Sequence, residues 1–155
     1  MTAGRWGMLI LLLVGLDQLT KLFIVNVYAL GQQTVLTGWF NLVRVHNTGA
    51  AFSFLSDAGG WQRWFFIGLG VVAVGILAVM MIRHAGQTWF ALAATLVISG
   101  AIGNTIDRVS WGYVIDFIDW HVGGWHWPAF NFADSYITVG ATLFVLDELR
   151  RVRRG

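Results

Sequence analysis

The sequence has no cysteine, a single proline and a single lysine among 155 residues, and only 12% of its residues are charged. Without cysteine there is no thiol nucleophile, no disulfide framework and no zinc–thiolate site. The HExxH pattern, which places two zinc-binding histidines and a general base on one helix, is also absent. These absences exclude thiol chemistry and the HExxH type of zinc hydrolysis, and they leave the eight acidic residues among the candidates for acid–base chemistry.

Apolar residues make up 57% of the chain, and its mean hydropathy is +0.66. A soluble domain of this length could not cover so much apolar surface. Two runs, 64–82 and 89–106, are free of charge and long enough to cross a hydrocarbon core of about 30 Å. The sequence therefore predicts an all-α membrane protein, a single domain over 1–155, with four transmembrane helices at about 6–26, 62–83, 88–107 and 131–149.

Arginines mark one side of the membrane. Arg5 precedes the first predicted helix, Arg83 lies between the second and third, and four arginines follow the fourth. By the positive-inside rule both termini are cytoplasmic, and the first helix is expected to be retained rather than cleaved. We interpret the arginine-rich tail as an anchor for anionic lipid and expect no nucleic-acid binding.

Two segments, roughly 27–62 and 107–131, then lie outside. The first is rich in Val, Thr, Phe and Leu around glycine turns, so we predict a small β-rich segment after helix 1. The second is predicted as a Trp-rich loop between helices 3 and 4. Its tryptophans favour an aromatic belt at the membrane interface over substrate contact.

Two acidic residues lie in apolar surroundings, Asp116 in VIDFID and Asp134 at the start of the fourth helix. Asp134 is 16 residues from Arg150, about 24 Å along a helix, which places it near the outer interface. Asp107 ends the third helix at a similar depth. Because a buried pair of carboxylates cannot comfortably ionise together, Asp116 and Asp134 tend to share one proton, as acid–base catalysis requires.

Five motifs follow one another along the chain: DQLTK at 17–21, HNTGAAF at 46–52, GNTIDR at 103–108, VIDF at 114–117 and FNFADS at 130–135. Together they resemble the lipoprotein signal peptidase (signal peptidase II) family of membrane aspartic proteases. The resemblance covers nearly the whole chain, with the motifs in family order. It implies an aspartic endopeptidase of the bacterial cytoplasmic (inner) membrane whose active site lies at the extracytoplasmic leaflet.

The resemblance implies a catalytic dyad of Asp116 and Asp134, with no metal and no cofactor. The implied partners are membrane lipids and a prolipoprotein that carries diacylglyceryl-cysteine and is cut just before that cysteine. We expect a monomer. Asn47 and Asn131 are candidate donors to the substrate. The residues predicted to bind substrate or support the site are Asp17, Lys21, Asn47, Gly49, Asn104, Asp107, Arg108, Asn131 and Ala133.

Structural alternatives stay open for several of these residues. Asp17 and Lys21, spaced i, i+4, either neutralise each other or brace the site from the first helix. Arg108 either anchors the dyad or substrate, or forms a helix-end ion pair with Asp107. Asn104 serves either the site or interhelical hydrogen bonding.

Four alternatives are weighed against the aspartic protease. A small proton-coupled transporter would use Asp17 and Asp134 as a relay, but its carboxylates should spread through the bilayer rather than gather at one face. A membrane chaperone would bind signal helices without cutting them. Ser135 has no histidine or second lysine in a recognisable arrangement that would make it a nucleophile. His121 and His126 could form a metal site with Asp116 and Asp119, but their i, i+5 spacing is not a ligand signature, and interface histidines are the preferred interpretation. Gly123 and Gly124 raise the further hypothesis of a loop that closes over the dyad.

Overall fold

The computed structural model describes residues 2–49, 55, 59–84 and 86–153. These residues form four helices and four strands. In chain order they are α1 (Ala3–Val27), β1 (Gln33–Thr37), β2 (Phe40–Asn47), α2 (Trp61–Arg83), α3 (Thr88–Ser110), β3 (Val114–Val122), β4 (Trp125–His126) and α4 (Phe132–Val152). Each predicted transmembrane range overlaps one helix.

Helices α1, α2 and α3 are long and apolar enough to cross a membrane. Helix α2 buries only Gln62 against the rest of the protein. Large apolar side chains such as Leu69 and Ile76 are more than half exposed, at 54% and 55%. Since such surface is stable only in an apolar solvent, the chain is a multi-pass membrane protein.

Helix α3 is the centre of the helical layer, with twelve buried residues. Glycines let its neighbours approach closely: a Cβ on Gly100 would collide with the Ala133 carbonyl oxygen, and a Cβ on Gly103 would lie 2.5 Å from Asp17 Oδ2. Small residues at helix contacts are typical of membrane bundles. Here they bring polar groups of α1, α3 and α4 together.

The strands form one antiparallel sheet in the order β1-β2-β3-β4. Strand β3 pairs with β2, so that Asn47 lies opposite Val114 and Asn41 opposite Asp119. Ile24 of α1 packs with apolar side chains of β3 to form the core between helix and sheet. The sheet thus follows directly from the C-terminal ends of α1 and α3.

The all-α class is corrected by this sheet. The short strands predicted in the first outer segment are β1 and β2, but the predicted Trp-rich loop also contains two strands, β3 and β4. Residues 114–119 are all buried, which removes the alternation that marks a strand with one exposed face. Gly123 and Gly124, with φ of 58° and 85°, form the two-residue turn of the β3–β4 hairpin.

Candidate active site

Asn131 joins the two predicted catalytic carboxylates. Its side-chain amide donates to Asp116 Oδ1 at 2.7 Å, and its backbone N–H donates to Asp134 Oδ2 at 3.2 Å. The remaining carboxylate oxygens have separate donors: Asn47 Nδ2 lies 3.1 Å from Asp116 Oδ2, and Asn104 Nδ2 lies 2.8 Å from Asp134 Oδ1. All four oxygens therefore accept an amide hydrogen bond.

The start of α4 fixes Asp134. Asn131 is the N-cap, and its side chain accepts from Asp134 N while the Asp134 carboxylate accepts from Asn131 N, which makes a capping box. Ser135 donates its hydroxyl to Asn131 O at 3.0 Å, which is a local cap contact. The positive end of the helix dipole favours a negative charge at Asp134.

Asp116 lies on β3, outside the helices, and is 1% exposed. Burial and, next, the negative charge of Asp134 raise the pKa of Asp116 to about 8, although hydrogen bonds from Asn47 and Asn131 oppose the shift. Asp116 therefore keeps its proton at neutral pH. Burial and the neighbouring carboxyl group thus both favour the protonated form of Asp116.

A buried ionic cluster lies beneath this pair. Lys21 Nζ is 2.9 Å from both Asp17 Oδ2 and Asp107 Oδ2, and it donates to Asn104 Oδ1 at 3.1 Å. Gln18 bridges the two acids, at 3.1 Å from Asp17 Oδ2 and 3.0 Å from Asp107 Oδ1. Lys21 and Asp17 thus form an ion pair. The same face of α1 also supports the site, because Lys21 contacts Asn104.

The two acids of this cluster hold the residues that precede the carboxyl pair. Asp17 Oδ1 accepts from Ala133 N at 2.9 Å, and Asp107 Oδ2 accepts from Ile115 N at 3.1 Å. Each carboxylate thereby fixes the backbone one residue before Asp134 or Asp116. Asp17 and Asp107 therefore support the carboxyl pair through the backbone, at Ala133 and Ile115, rather than by direct contact with it.

Arg108 reaches a different partner from Asp107. Its Nη2 donates to Gly49 O at 2.7 Å, and its guanidinium carbon lies 4.9 Å from the centre of the Phe66 ring. Gly49 N donates to Asn47 Oδ1 at 3.0 Å. Arg108 therefore holds the turn that carries Asn47, while Asp107 pairs with Lys21.

A cavity of about 700 Å³ opens beside these groups. Apolar side chains of α2, α3 and α4 form most of its wall, and its polar lining includes Asn47, Asn104, Arg108 and Asp134. Asn131 is fully buried, and its amide also approaches Asn104 Oδ1 and Ile115 O, at 3.4 and 3.3 Å. The Asn131 amide thus contacts protein groups, which favours a positioning role over the predicted donation to substrate.

Gln18 is not predicted as a site residue, although it lies inside DQLTK between Asp17 and Lys21. Among residues 2–49, 55, 59–84 and 86–153, no cluster of three or more histidines and acids is arranged to hold a metal. His126 instead pairs with Asp119, with Nδ1 at 2.8 Å from Oδ1. Asp119 lies three residues after Asp116 on β3, about 10 Å along the strand, and its partner His126 lies on β4.

Apolar helices around a buried, hydrogen-bonded carboxyl pair define a membrane enzyme of the aspartic type. The family model for signal peptidase (SPase) II matches residues 9–150. The lipoprotein signal peptidase of Cupriavidus necator is 56% identical over 149 residues, 96% of this chain and 85% of that protein. The corresponding protein of Ralstonia nicotianae is 54% identical over 151 residues, 97% and 87% of the two chains.

A solved bacterial membrane enzyme, determined by the in meso method at 2.3 Å, has a TM-score of 0.88 and 32% identity to this chain. The similarity covers 97% of this chain and 90% of that one. The chain belongs to the signal peptidase II family. The transporter alternative finds no support in these similarities.

Proposed function

We propose that Asp116 and Asp134 are the catalytic dyad of this enzyme. Membership of the signal peptidase II family makes the chain an aspartic endopeptidase that removes signal peptides from prolipoproteins. The observation that carries the assignment to these two residues is their shared partner, Asn131, which bonds to both carboxyl groups. Paired carboxyl groups with different proton occupancy supply the acid and the base that peptide hydrolysis needs.

Asp134 is the base in this mechanism and Asp116 the acid. Asp134 lines the cavity and lies at a helix N-terminus, which favours its ionised form. It takes a proton from water as the water oxygen bonds to the scissile carbonyl carbon. Asp116 donates its proton to the departing nitrogen as the carbon–nitrogen bond breaks, and one proton again remains on the pair.

Asn47 and Arg108 are the donors that face the substrate. Both line the cavity, and Arg108 holds the Gly49 carbonyl in the same turn as Asn47. Pre-positioned N–H donors stabilise the negative charge that develops on the carbonyl oxygen. We assign Asn104 and Asn131 to orienting the dyad, and Asp17, Lys21 and Asp107 to holding its backbone.

The substrate proposed is a prolipoprotein that carries diacylglyceryl-cysteine, cut just before that cysteine. The support is the predominantly apolar wall of the catalytic cavity, which suits a signal helix and attached lipid. Its polar lining includes Asn47, Asn104, Arg108 and Asp134, which are the groups that would contact the scissile peptide bond.

We further propose that α4 is a fourth membrane span. Its 21 residues extend about 31 Å, and Asp134, the acid near its start, is hydrogen-bonded within the protein. With arginines at Arg5, Arg83 and the end of α4, both termini face the cytoplasm. The dyad then lies at the outer leaflet of the bacterial inner membrane, in a monomeric enzyme.

The test is cleavage of a purified diacylglyceryl prolipoprotein in detergent, with the products identified by mass spectrometry. We expect the wild type and Glu148→Gln, an exposed acid-to-amide control in α4, to release a signal peptide ending just before the lipidated cysteine. Asp134→Asn should bind the substrate without cutting it. Cleavage by Asp134→Asn at the wild-type rate would refute the dyad, and loss of binding would favour a chaperone.

A further inference from the structure

A second cavity, of about 450 Å³, lies on the outer part of the sheet. We call it the tryptophan cleft. Four of its six lining residues are tryptophans, and each of these is between 43% and 62% exposed. The lining residues are Trp39, Trp120, His121, Val122, Trp125 and Trp127.

The tryptophan cleft adjoins the catalytic cavity. Trp120 and Trp127 line both, and Trp127 N donates to Trp120 O at 2.7 Å across the hairpin. Along β3, Trp120 is four residues after Asp116, about 13 Å in a strand. A ligand held at the dyad can therefore continue past this shared wall into the cleft.

Hydrogen bonds hold the walls of the cleft in place. His121 N donates to Trp39 O at 3.0 Å, which ties the β1–β2 turn to β3. Asn41 donates to Asp119 Oδ2 at 2.7 Å, and His126 reaches the same carboxylate from β4. The aromatic surface is thus presented by a braced sheet rather than by free loops.

The chemistry of the cleft favours hydrocarbon over peptide. Its surface is apolar, so a polypeptide bound there would leave backbone N–H and C=O groups without partners. Its volume lies in the ordinary range for small-ligand sites. The proposed substrate has one non-peptide apolar part, the acyl chains attached beside the scissile bond.

We propose that the tryptophan cleft binds an acyl chain of the substrate's diacylglyceryl-cysteine. The proposal rests on the proposed function, and it adds a lipid subsite that is separate from the dyad and its cavity. Trp39 and Trp125 line only the cleft, so they are positioned to affect lipid recognition without touching the reacting atoms.

The experiment compares two synthetic prolipoprotein peptides that differ only in acyl length, one dipalmitoyl and one with short chains. For Trp39→Ala/Trp125→Ala we expect a KM about tenfold higher on the long-chain peptide, since the two indole rings would otherwise bury several methylene groups of the acyl chain. The kcat on both peptides and the KM on the short-chain peptide should stay at wild-type values. Trp111→Ala, which removes a 48% exposed tryptophan outside the cleft, is the matched control.

Equal increases in KM on both peptides would overturn the proposal and indicate that the tryptophans anchor the enzyme to lipid in general. An unchanged KM on the long-chain peptide would also overturn it. Trp39→Phe/Trp125→Phe retains aromatic walls and should keep the long-chain preference. This variant provides the test if the alanine variant does not fold. Failure of the wild type to cleave either peptide would instead refute the proposed function.

Discussion

Asn131 and Asp134 hold each other through reciprocal hydrogen bonds: Asp134 N donates to Asn131 Oδ1 at 2.9 Å, and Asn131 N donates to Asp134 Oδ2 at 3.2 Å. A helix cap is thereby also the link between two carboxyl groups, because the amide of Asn131 reaches Asp116. The local signal that starts α4 and the geometry of the proposed dyad depend on one side chain.

Replacement of Asn131 separates these two roles. Asn131→Ser retains a capping oxygen for Asp134 N but removes the amide that donates to Asp116. We expect cleavage to fall about 100-fold, in line with the loss of a catalytic orienting donor, and stability to fall by about 1–3 kcal/mol, because Asp116 Oδ1 and Ile115 O lose their buried donor. Asn131→Ala should lose the same activity and a further ~1 kcal/mol of stability, because the cap is lost as well. A serine variant with wild-type kcat would contradict the orienting role.

The proton on Asp116 sets the expected pH dependence. Burial and then the charge of Asp134 raise the pKa of Asp116 to about 8, so its acid form is present at neutral pH and is lost as the pH rises through that value. We predict that kcat/KM falls on the alkaline side near pH 8. In Asn131→Ser the fall should move to higher pH, because a hydrogen bond that favours the ionised form is gone. Activity that is constant from pH 7 to 10 would contradict this assignment.

Lys21 neutralises two buried acids, and its loss should be costly. Lys21→Met would leave Asp17 and Asp107 buried without their cation, which typically costs about 3–5 kcal/mol. We expect a melting temperature lower by roughly 10 °C in detergent. Arg151→Met is the control, because Arg151 and Glu148 form an exposed pair at 3.5 Å, worth under about 1 kcal/mol. Similar melting temperatures for the two variants would rule out a stabilising role for the cluster.

Gly100 lets α3 lie against α4 at the residue before Asp134. A Cβ at this position would collide with the carbonyl oxygen of Ala133, so Gly100→Ala should cost about 1–3 kcal/mol and lower the cleavage rate. Gly68→Ala is the matched control on the lipid-facing side of α2, where a Cβ meets nothing within 4 Å. It should raise stability by up to about 1 kcal/mol. Thermal unfolding measures the change in stability of each variant. A change of the same sign in both would contradict the close packing of α3 against α4 at Gly100.

The helices and the two carboxyl groups could be predicted because their signals are local. Uncharged runs predict α2 and α3. An acidic residue within an apolar segment, such as Asp134, indicates a function because placing a charge there costs free energy. Strand β3 gave no such signal, because burial of residues 114–119 hides its alternation. The sequence therefore predicts a loop where Trp120 lies on β3.

Contacts between distant segments could not be predicted from spacing alone. Asp17 was placed beside Lys21 by helix periodicity, but its bond to Ala133 N spans 116 positions and depends on the close approach that Gly103 permits. The sequence left Arg108 either anchoring the dyad or substrate or paired with Asp107, and its contact with the Gly49 carbonyl depends on the turn after β2. Tertiary geometry decided these roles.

The central claim is that Asp116 and Asp134 act as one catalytic unit, and a double-mutant comparison tests it most directly. The cleavage rate of one diacylglyceryl prolipoprotein is measured for Asp116→Asn, Asp134→Asn and the double variant, with Glu148→Gln as the control. Each single variant should lose at least about 10³-fold in kcat, and the double variant should lose no more than the worse single one. Losses that multiply in the double variant, or a single variant that retains wild-type kcat, would contradict the claim.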